Sequence, residues 1–311
     1  MFTVKINNDT FQCPSIWNEL SAVQLLRIAE LSRLHLNHFE FKTLMLPYLL
    51  GLQAMTIEER ILEGETCFFF KEGKKNIYIL AAVDISYIIQ KFDFLFKISK
   101  EKSTDTAVSE PLEVYALHSR LTKSIIPYIT VAGTKFYGPA DGLSNILFQE
   151  YIHTETFMSK YSDTGDITFL DKIIAVLYRP QVDNYDPENI FYQGDRRELF
   201  NDFIINKRAA LISKVDINLK YAIYLFYTGC INHIQKLFKE VFTATSNQEP
   251  ATRNNTFLSM MKLVTALTQN DVTKNEQVRK TYLYEVMITL QEMMIQRSKM
   301  KEEIDRIKNK T

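Results

Sequence analysis

The stretch from Glu276 to Lys310 contains no Gly and no Pro and has an amphipathic helical pattern along its whole length. Its apolar residues recur at alternating spacings of three and four, which places them on one narrow stripe of a helix. The positions on this stripe are Leu283, Val286, Leu290, Met293, Arg297, Met300, Ile304 and Ile307. A stripe of this length needs a second surface to cover it, either the body of the same chain or a partner.

We predict that this helix divides into a docked part and a projecting part. Over Leu283–Ile295 the flanking positions Met287 and Met294 are also apolar. This composition predicts inward packing on the chain's own body through adaptable Met side chains. The segment Gln296–Thr311 carries six Lys or Arg residues against three acidic ones, and we expect it to project as a charged arm.

The projecting arm is the predicted partner-binding site. Its candidate contact residues are Met293, Arg297, Met300, Ile304 and Ile307. Arg297 occupies a position on the stripe where a charged side chain opposes simple self-pairing of the helix. We therefore expect the partner to be another protein, and a homo-oligomer stays open as the alternative. No catalytic residue is predicted.

The composition is typical of a folded, mainly helical protein. The apolar fraction is 46% and the charged fraction is 24%, as in ordinary globular domains. Nine Gly and eight Pro in 311 residues are few for a turn-rich sandwich, whereas they suit helices. We predict a mainly α fold with small β-hairpins (α+β). A helical N-terminal unit with hairpins would precede a larger helical C-terminal unit that ends in a long helix.

Local patterns place the individual elements. Alternating residues around turn sequences predict one hairpin in Phe2–Cys13 and another in Thr66–Leu80, and strand-like pieces flank Gly133. Ser21 and Asp166 are the expected N-caps of the helices that follow them. The predicted helices cover residues 22–34, 39–50, 56–62, 81–98, 145–161, 167–178, 197–205, 215–242, 257–268 and 276–310.

The polar segment Glu101–Glu110, which Pro111 follows, is the clearest predicted linker in the chain. With this linker and the terminal helix, we predict four parts of the sequence. An α+β unit covers 1–100 and the linker covers 101–110. A mainly helical unit covers 111–275, and the long C-terminal amphipathic helix covers 276–311.

Charge and hydropathy argue against several classes of protein. The formal net charge is zero, so no global field attracts nucleic acid or an acidic membrane. The most apolar window, Tyr221–Thr228, is too short to span a bilayer, which takes about 20 residues, and no signal peptide is apparent. Cys13, Cys67 and Cys230 have no CxxC spacing and are expected to be buried, reduced thiols. These features predict a cytoplasmic protein without nucleic-acid or membrane partners.

Three short motifs resemble parts of a phosphate-binding or metal-binding site, and each lacks residues that such a site requires. Gly133–Gly138 lacks the Lys and Ser/Thr that a phosphate-binding loop places after its second Gly, and two tight turns explain it better. The pair Glu150 and His153 has no second Glu-x-x-His pair to complete a di-iron site. His35 and His38 have no further ligands at zinc-binding spacing. No cofactor and no metal ion is predicted.

A small-molecule-binding protein or an enzyme is the competing interpretation. Its pocket would lie in the 130–180 region, around Tyr137, Asp141, Glu150 and His153. A cavity that collects these four side chains would favour this interpretation. Scattered positions would favour the protein-binding interpretation instead.

Three segments of the chain are similar to known sequences, namely Ser15–Ser21, Phe136–Leu143 and Ile173–Pro180. The first resembles the strand-to-helix entry of many small phage tail proteins. The other two resemble uncharacterised proteins in the tail-gene clusters of Bacteroides-type phages and prophages. The resemblance implies a tail-assembly-chaperone or tail accessory role, in the host cytoplasm or in the virion, with other tail proteins as partners. It assigns no functional residue, and the chain departs from simple tail chaperones in its length and its well-defined second half.

Overall fold

The computed structural model describes residues 1–6, 8–52, 55–62, 64–72, 76–101, 112–183, 185–189, 194–246 and 256–308. In these residues the fold is mainly helical, with eleven α-helices and small antiparallel sheets of two or three strands. The fold class predicted from the sequence is therefore confirmed. The predicted linker at 101–110 lies outside the described residues, apart from Glu101, which ends a strand.

The chain forms two compact units. The first contains Met1–Leu121 and Ile217–Gly229, and the second contains Thr122–Asp216 and Cys230–Thr311. The chain therefore returns to the first unit after part of the second has been built. Neither unit is a single continuous stretch of sequence.

The first unit combines small sheets with short helices. Its strands are β1 (Phe2–Ile6), β2 (Asp9–Cys13), β3 (Met55–Leu62), β4 (Glu65–Glu72), β5 (Asn76–Ala81), β6 (Phe96–Glu101) and β7 (Leu112–Leu117). β1 pairs with β2, β6 pairs with β7, and β4 lies between β3 and β5. Its helices are α1 (Ala22–Leu31), α2 (His38–Leu49) and α3 (Ala82–Gln90). Both hairpins predicted from the sequence are confirmed.

The entry to α1 has the local structure that the sequence predicts. The Ser21 side chain accepts a hydrogen bond from the backbone N–H of Gln24, and the Gln24 side chain accepts one from the N–H of Ser21. This reciprocal capping satisfies two backbone donors at the start of the helix. Trp17 is buried just before this cap, and its Nε1–H donates to the carbonyl of Phe94 at 3.1 Å. The indole thus ties the beginning of the chain to a later segment of the same unit.

The helix predicted at 56–62 is wrong, because these residues belong to β3. Backbone pairing with β4 runs from Met55 opposite Glu72 to Leu62 opposite Glu65. A helix of seven residues is too short to be stable alone. Pairing on β4 instead gives partners to alternate backbone groups along the whole segment.

The helix predicted at 81–98 is partly wrong. α3 ends at Gln90, and a 3-10 turn over Lys91–Leu95 follows before β6 begins. Residues three apart lie on the same side of a 3-10 turn. Phe92 and Leu95 are therefore both buried in the core of the unit.

The second unit is mainly helical. Its strands β8 (Tyr128–Val131), β9 (Thr134–Tyr137) and β10 (Arg179–Pro180) form one sheet in the order β10–β9–β8. The helices from this point on are α4 (Phe148–Thr164), α5 (Ile167–Leu177), α6 (Ile205–Ile212), α7 (Ile217–Leu237), α8 (Lys239–Ser246), α9 (Thr256–Leu267), α10 (Asn275–Arg279) and α11 (Leu283–Lys308). Only the part of α7 after Gly229 belongs to this unit.

α5 forms a buried part of the second unit. Asp166 caps the helix as predicted, since its carboxylate accepts a hydrogen bond from the backbone N–H of Thr168 at 2.9 Å. Every residue from Ile173 to Leu177 is buried. Tyr178 follows, and its hydroxyl donates to the carbonyl of Ile126 at 2.7 Å. The end of α5 is thereby joined to the segment before β8.

Three further helix predictions are corrected. The single helix predicted at 215–242 is divided into α7 and α8 at Phe238. Residues 197–201 are not helical, and the helix of this region is α6. The helix predicted at 276–310 is interrupted between α10 and α11. At the interruption the carbonyl of Thr281 accepts a hydrogen bond from the backbone N–H of Phe148 at 2.8 Å. Pairing with a distant segment here replaces the bond that would have continued the helix.

Candidate functional site

The first turn of α11 is fixed to the segment that precedes α4. The backbone N–H of Leu283 donates to the carbonyl of Ile146 at 2.9 Å. The hydroxyl of Tyr284 donates to the carbonyl of Gly142 at 2.8 Å. Two bonds to neighbouring parts of one loop set both the starting point and the direction of the helix.

Burial along α11 changes after its first turns. Leu283, Val286, Met287 and Leu290 are buried, and the helix packs against α4 and α8. From Ile295 to Lys308 every side chain is exposed, and we call residues 295–308 the exposed arm. At 1.5 Å per residue the exposed arm is about 21 Å long. The change occurs close to the point where the sequence predicts a boundary between a docked and a projecting part.

The five candidate contact residues lie on the exposed arm or at its border. Met293 is half-buried and Arg297 is exposed. The exposed fractions of Met300, Ile304 and Ile307 are 64%, 51% and 61%. The structure therefore places all five on one helix, and the last four are exposed to solvent. Binding of a partner by these residues stays a prediction.

The apolar stripe of the exposed arm has flanks of different charge. Successive residues of an α-helix are rotated by about 100°, so the four apolar candidates fall within an arc of about 60°. Arg297, Lys301 and Lys308 occupy the adjacent arc of about 40°, and Glu303 lies on the opposite flank. Within the described ranges neither Arg297 nor Lys301 forms an ion pair. The part of this flank formed by Arg297 and Lys301 is thus basic and available.

Tyr137 and Asp141, from the competing interpretation, share an open pocket in the second unit. The pocket has a volume of about 650 Å³, and Arg196 is also part of its wall. The guanidinium of Arg196 lies 4.0 Å from the ring centroid of Tyr137. The Asp141 carboxylate accepts a hydrogen bond from the backbone N–H of Ser124 at 2.7 Å. Both residues are therefore already engaged in local contacts.

Glu150 is not part of this pocket and lies in a buried ion-pair network instead. Its fully buried carboxylate forms ion pairs with Arg179 and Arg197. Asp195 contacts both guanidinium groups, at 3.5 Å from Arg179 and 2.7 Å from Arg197. Arg197 also donates from Nη1 to the carbonyl of Leu177 at 2.8 Å. The network joins α4 to the end of α5 and to the segment before residue 198.

Burial and the carboxylates act in opposite directions on the two arginines. Burial lowers the pKa of Arg179, and the Glu150 and Asp195 carboxylates only partly offset this effect. Burial also acts to lower the pKa of Arg197, but the same two carboxylates more than offset it, so the pKa is raised. The four charged groups are occupied with one another, which indicates a structural role. The backbone of this segment pairs with the segment after α5, since Arg197 forms a β-bridge with Gln181 and the N–H of Glu198 donates to the carbonyl of Pro180, which explains why the helix predicted at 197–205 does not begin at Arg197.

His153 lines a different pocket, of about 280 Å³, together with Phe157 and Lys172. Its side chain is about one-fifth exposed, and the Asp202 carboxylate lies 3.9 Å from Nε2. Burial lowers the pKa of His153, and the Asp202 carboxylate opposes this shift. The four residues of the competing interpretation are therefore distributed over two pockets and a buried network.

Gly133 and His38, from two of the short motifs, take part in ordinary structural features. Gly133 lies in the turn between β8 and β9 with φ of 81°, a conformation that Gly adopts without strain. His38 stacks on Tyr115, with ring centroids 3.8 Å apart. In the part of the chain that the structure describes, no group of three or more His, Cys, Asp or Glu side chains is placed to hold a metal ion.

The three cysteines of the chain lie in its interior. Cys13, Cys67 and Cys230 are buried and form no disulfide with one another, which agrees with the prediction of buried thiols. Burial raises the pKa of the Cys13 thiol to about 11.

Among the helices of the described ranges, none combines the length and the apolar composition that crossing a bilayer requires.

Comparisons with known proteins identify no relative. No family model, no curated protein and no solved structure matches the chain. The fold and the candidate site define a mainly helical α+β protein with an exposed amphipathic helix. The resemblance to tail-cluster proteins stays a prediction.

Proposed function

We propose that this chain is a non-enzymatic assembly protein that binds another protein through the exposed arm of α11. The observation that carries the proposal is the continuity of the apolar stripe. Val286 and Leu290 on this stripe are buried against the chain's own body. The same three-and-four spacing continues through Met300 and Ile304, which the described residues do not cover.

Covering the stripe would contribute binding free energy. Full burial of a Met or Ile side chain contributes about 1.5–3 kcal/mol. Met300, Ile304 and Ile307 are each more than half exposed, so covering the remainder contributes about 2–5 kcal/mol in total. A dissociation constant of 1 µM corresponds to about 8 kcal/mol. The partner must therefore add apolar and charged contacts of its own.

The charges of the exposed arm favour a different chain over a second copy. In the heptad register of the stripe, Arg297 takes position a, Lys301 and Lys308 take position e, and Glu303 takes position g. A parallel pair of copies would place two Arg297 side chains opposite each other. An antiparallel pair would place Lys301 beside Lys308 of the second copy. Each like-charge contact costs about 1 kcal/mol in water and more where it is partly buried.

The partner that fits is an amphipathic helix with acidic residues beside its apolar stripe. A Glu or Asp opposite Arg297 would replace repulsion with an ion pair. An acidic residue at a g position of the partner would face Lys301. Such complementarity selects the partner and fixes the register of pairing.

We further propose that the larger assembly is a phage tail. The support is the resemblance of Ser15–Ser21, Phe136–Leu143 and Ile173–Pro180 to proteins of tail-gene clusters. In this proposal the chain acts as a tail-assembly chaperone or tail accessory protein, in the host cytoplasm or in the virion. The acidic helix then belongs to another tail protein.

Site-specific photo-cross-linking tests the proposal. A photoreactive amino acid replaces Met300, which lies on the apolar stripe, and in a second variant replaces Glu302. Glu302 is the matched control because it is exposed and points about 160° away from Met300 around the helix. We expect a cross-link from position 300, and mass spectrometry should map it to an acidic amphipathic helix of one protein.

Reconstitution with the cross-linked protein then tests the charge pattern. Arg297→Glu should weaken binding at least tenfold, and reversing the facing acid of the partner to Lys should restore it. Equal cross-linking from positions 300 and 302, or unchanged affinity of Arg297→Glu, would contradict the proposal.

A small-molecule site in the 130–180 region has weaker support. The pocket that contains Tyr137 and Asp141 is its basis. Glu150 and His153 do not join that pocket. The two residues that would supply a buried acid and a titratable base are therefore elsewhere in the unit.

A further inference from the structure

A pocket of about 500 Å³ in the first unit runs along β1. Its wall consists of all five residues of β1, part of β5, and Asp84, Tyr87 and Lys91 at α3. Successive side chains of a strand point to opposite faces of the sheet. A pocket that touches every residue of β1 and none of β2 therefore lies along the outer edge of β1.

The outer edge of β1 carries backbone groups without a strand partner. In the described part of the chain β1 pairs with β2 alone. Ile6 lies opposite Asp9, with two residues between them in the sequence, and the residues that close a hairpin of this length are hydrogen-bonded to each other. Because hydrogen-bonded pairs alternate along an antiparallel ladder, Thr3 and Lys5 direct their N–H and C=O groups away from β2. The Thr3 and Gln12 side chains hydrogen-bond at 3.2 Å, as expected for the closer, non-hydrogen-bonded pairs.

The pocket wall offers apolar surface beside this edge. Val4 and Ile6 turn one face of β1 into the core. Tyr87, which lines the pocket, is 66% exposed. A strand laid along β1 would have alternate side chains on the same face as Val4 and Ile6. Those side chains would cover the exposed Tyr87.

The charged groups of the pocket favour an acidic ligand. Lys5 is exposed and forms no ion pair with a described residue. Lys91 lies over the ring of Tyr87, with Nζ 5.3 Å from the centroid. Asp84 is the acidic residue of the wall. Two cations against one anion leave the pocket with an excess positive charge.

We propose that the outer edge of β1 binds an extended peptide segment of another protein by strand addition. Main-chain hydrogen bonds to Thr3 and Lys5 hold the segment, and alternate side chains supply specificity. The segment has apolar residues at every second position, which cover Tyr87. It carries an acidic residue next to Lys5. Five residues of β1 span about 17 Å, which is the upper limit of the pairing, because part of β5 also lies near β1.

The backbone edge favours this ligand over other classes. The outward N–H and C=O groups of Thr3 and Lys5 repeat about every 6.8 Å along the strand. An extended peptide backbone repeats its own donors and acceptors at the same distance. This site is in the first unit, so the proposal is independent of partner binding by the exposed arm in the second unit.

A random twelve-residue peptide library tests the proposal. Peptides are displayed on yeast, selected on the full-length protein and counter-selected on the variant Thr3→Pro. Pro removes the outward N–H of residue 3 and is tolerated on a strand edge. Thr3→Val is the matched control, because it keeps the N–H and loses only the hydroxyl. Tyr87→Ala removes an exposed side chain of the wall and leaves the edge intact.

The proposal predicts peptides with apolar residues at alternate positions and at least one Glu or Asp. Their affinity should fall at least tenfold with Thr3→Pro and at least threefold with Tyr87→Ala, and it should be unchanged with Thr3→Val. N-methylation of alternate backbone nitrogens in a selected peptide should also abolish binding. Failure to enrich any peptide over the Thr3→Pro background would overturn the proposal. Concentration-dependent self-association that Thr3→Pro abolishes would overturn it as well, in favour of a second copy at this edge.

Discussion

Replacing Glu150 by Gln should strongly destabilise the second unit. The substitution keeps the volume of the side chain and removes only its charge. In the buried network two arginines, Arg179 and Arg197, face two carboxylates, Glu150 and Asp195. The network therefore changes from a net charge of zero to +1 in a region where Glu150 and Arg197 side chains are fully buried.

The expected loss follows from the cost of an uncompensated buried charge. Breaking a buried ion pair by removing one partner costs about 3–5 kcal/mol, which is a large share of a typical total stability of about 5–15 kcal/mol. For a unit of this size, 1 kcal/mol corresponds to about 2–4 °C in melting temperature. Glu150→Gln should therefore lower the melting temperature by about 6–20 °C.

Two spectroscopic signals separate the units in this experiment. Far-UV circular dichroism reports mainly on helices, most of which lie in the second unit. Trp17 is the only Trp of the chain and lies in the first unit, so its fluorescence reports on that unit. Asp163→Asn, at an exposed position of the same helix α4, is the control and should leave the dichroism transition unchanged. A decrease in the free energy of unfolding below about 1 kcal/mol in Glu150→Gln would contradict a stabilising role of the ion-pair network.

Three other changes have defined outcomes. Arg297→Leu should make the purified protein self-associate, measured by sedimentation, because the like-charge contact in the stripe is removed; a strictly monomeric variant would contradict this register. Gly138→Ala should cost about 1–3 kcal/mol in chemical denaturation, because the new Cβ would lie 2.6 Å from the buried ring of Tyr178; an unchanged midpoint would contradict it. The hydrogen bonds from Thr168 lower the pKa of Asp166. The stability that the Asp166 carboxylate contributes by capping α5 is therefore complete above the ordinary pKa of about 4. It is lost as the pH falls through the lowered pKa. The difference in melting temperature between the wild type and Asp166→Asn should therefore shrink as the pH falls through this range. A difference that stays constant would contradict the capping role of the Asp166 carboxylate.

Features that depend on a few neighbouring residues were predictable from the sequence. Ser21 and Asp166 are helix caps because their hydrogen-bond partners, Gln24 and Thr168, lie within three residues. The hairpin of β1 and β2 is equally local. In each case the relevant contacts and the pattern that predicts them occupy the same short stretch of chain.

The ion-pair network was not predictable in this way. Arg179 and Arg197 lie far from Glu150 in sequence, and nothing nearby distinguishes them from surface arginines. Only the tertiary structure brings the three side chains together. The one local hint is Asp195, two residues before Arg197, because its carboxylate accepts from the Nε–H of that arginine at 2.9 Å.

α11 shows where periodicity stops being informative. The three-and-four spacing predicted a helix, and α11 forms from Leu283 to Lys308. It did not predict the break before Leu283, because the bond between Thr281 and Phe148 depends on a distant segment. The position where burial ends, near Ile295, coincides with the rise in charged residues after Gln296. The content of charged residues therefore predicted the start of the exposed arm better than the three-and-four spacing of apolar residues did.

Hydrogen exchange of the exposed arm measures directly whether a partner binds it. Amide exchange of residues 295–308 is measured in the free protein and in its purified complex with the cross-linked partner. A single exposed helix of this length opens readily, so exchange in the free protein should be fast. We predict at least a hundredfold slowing of exchange in residues 295–308 of the complex. A complex that protects other parts of the chain and leaves exchange in these residues unchanged would contradict it.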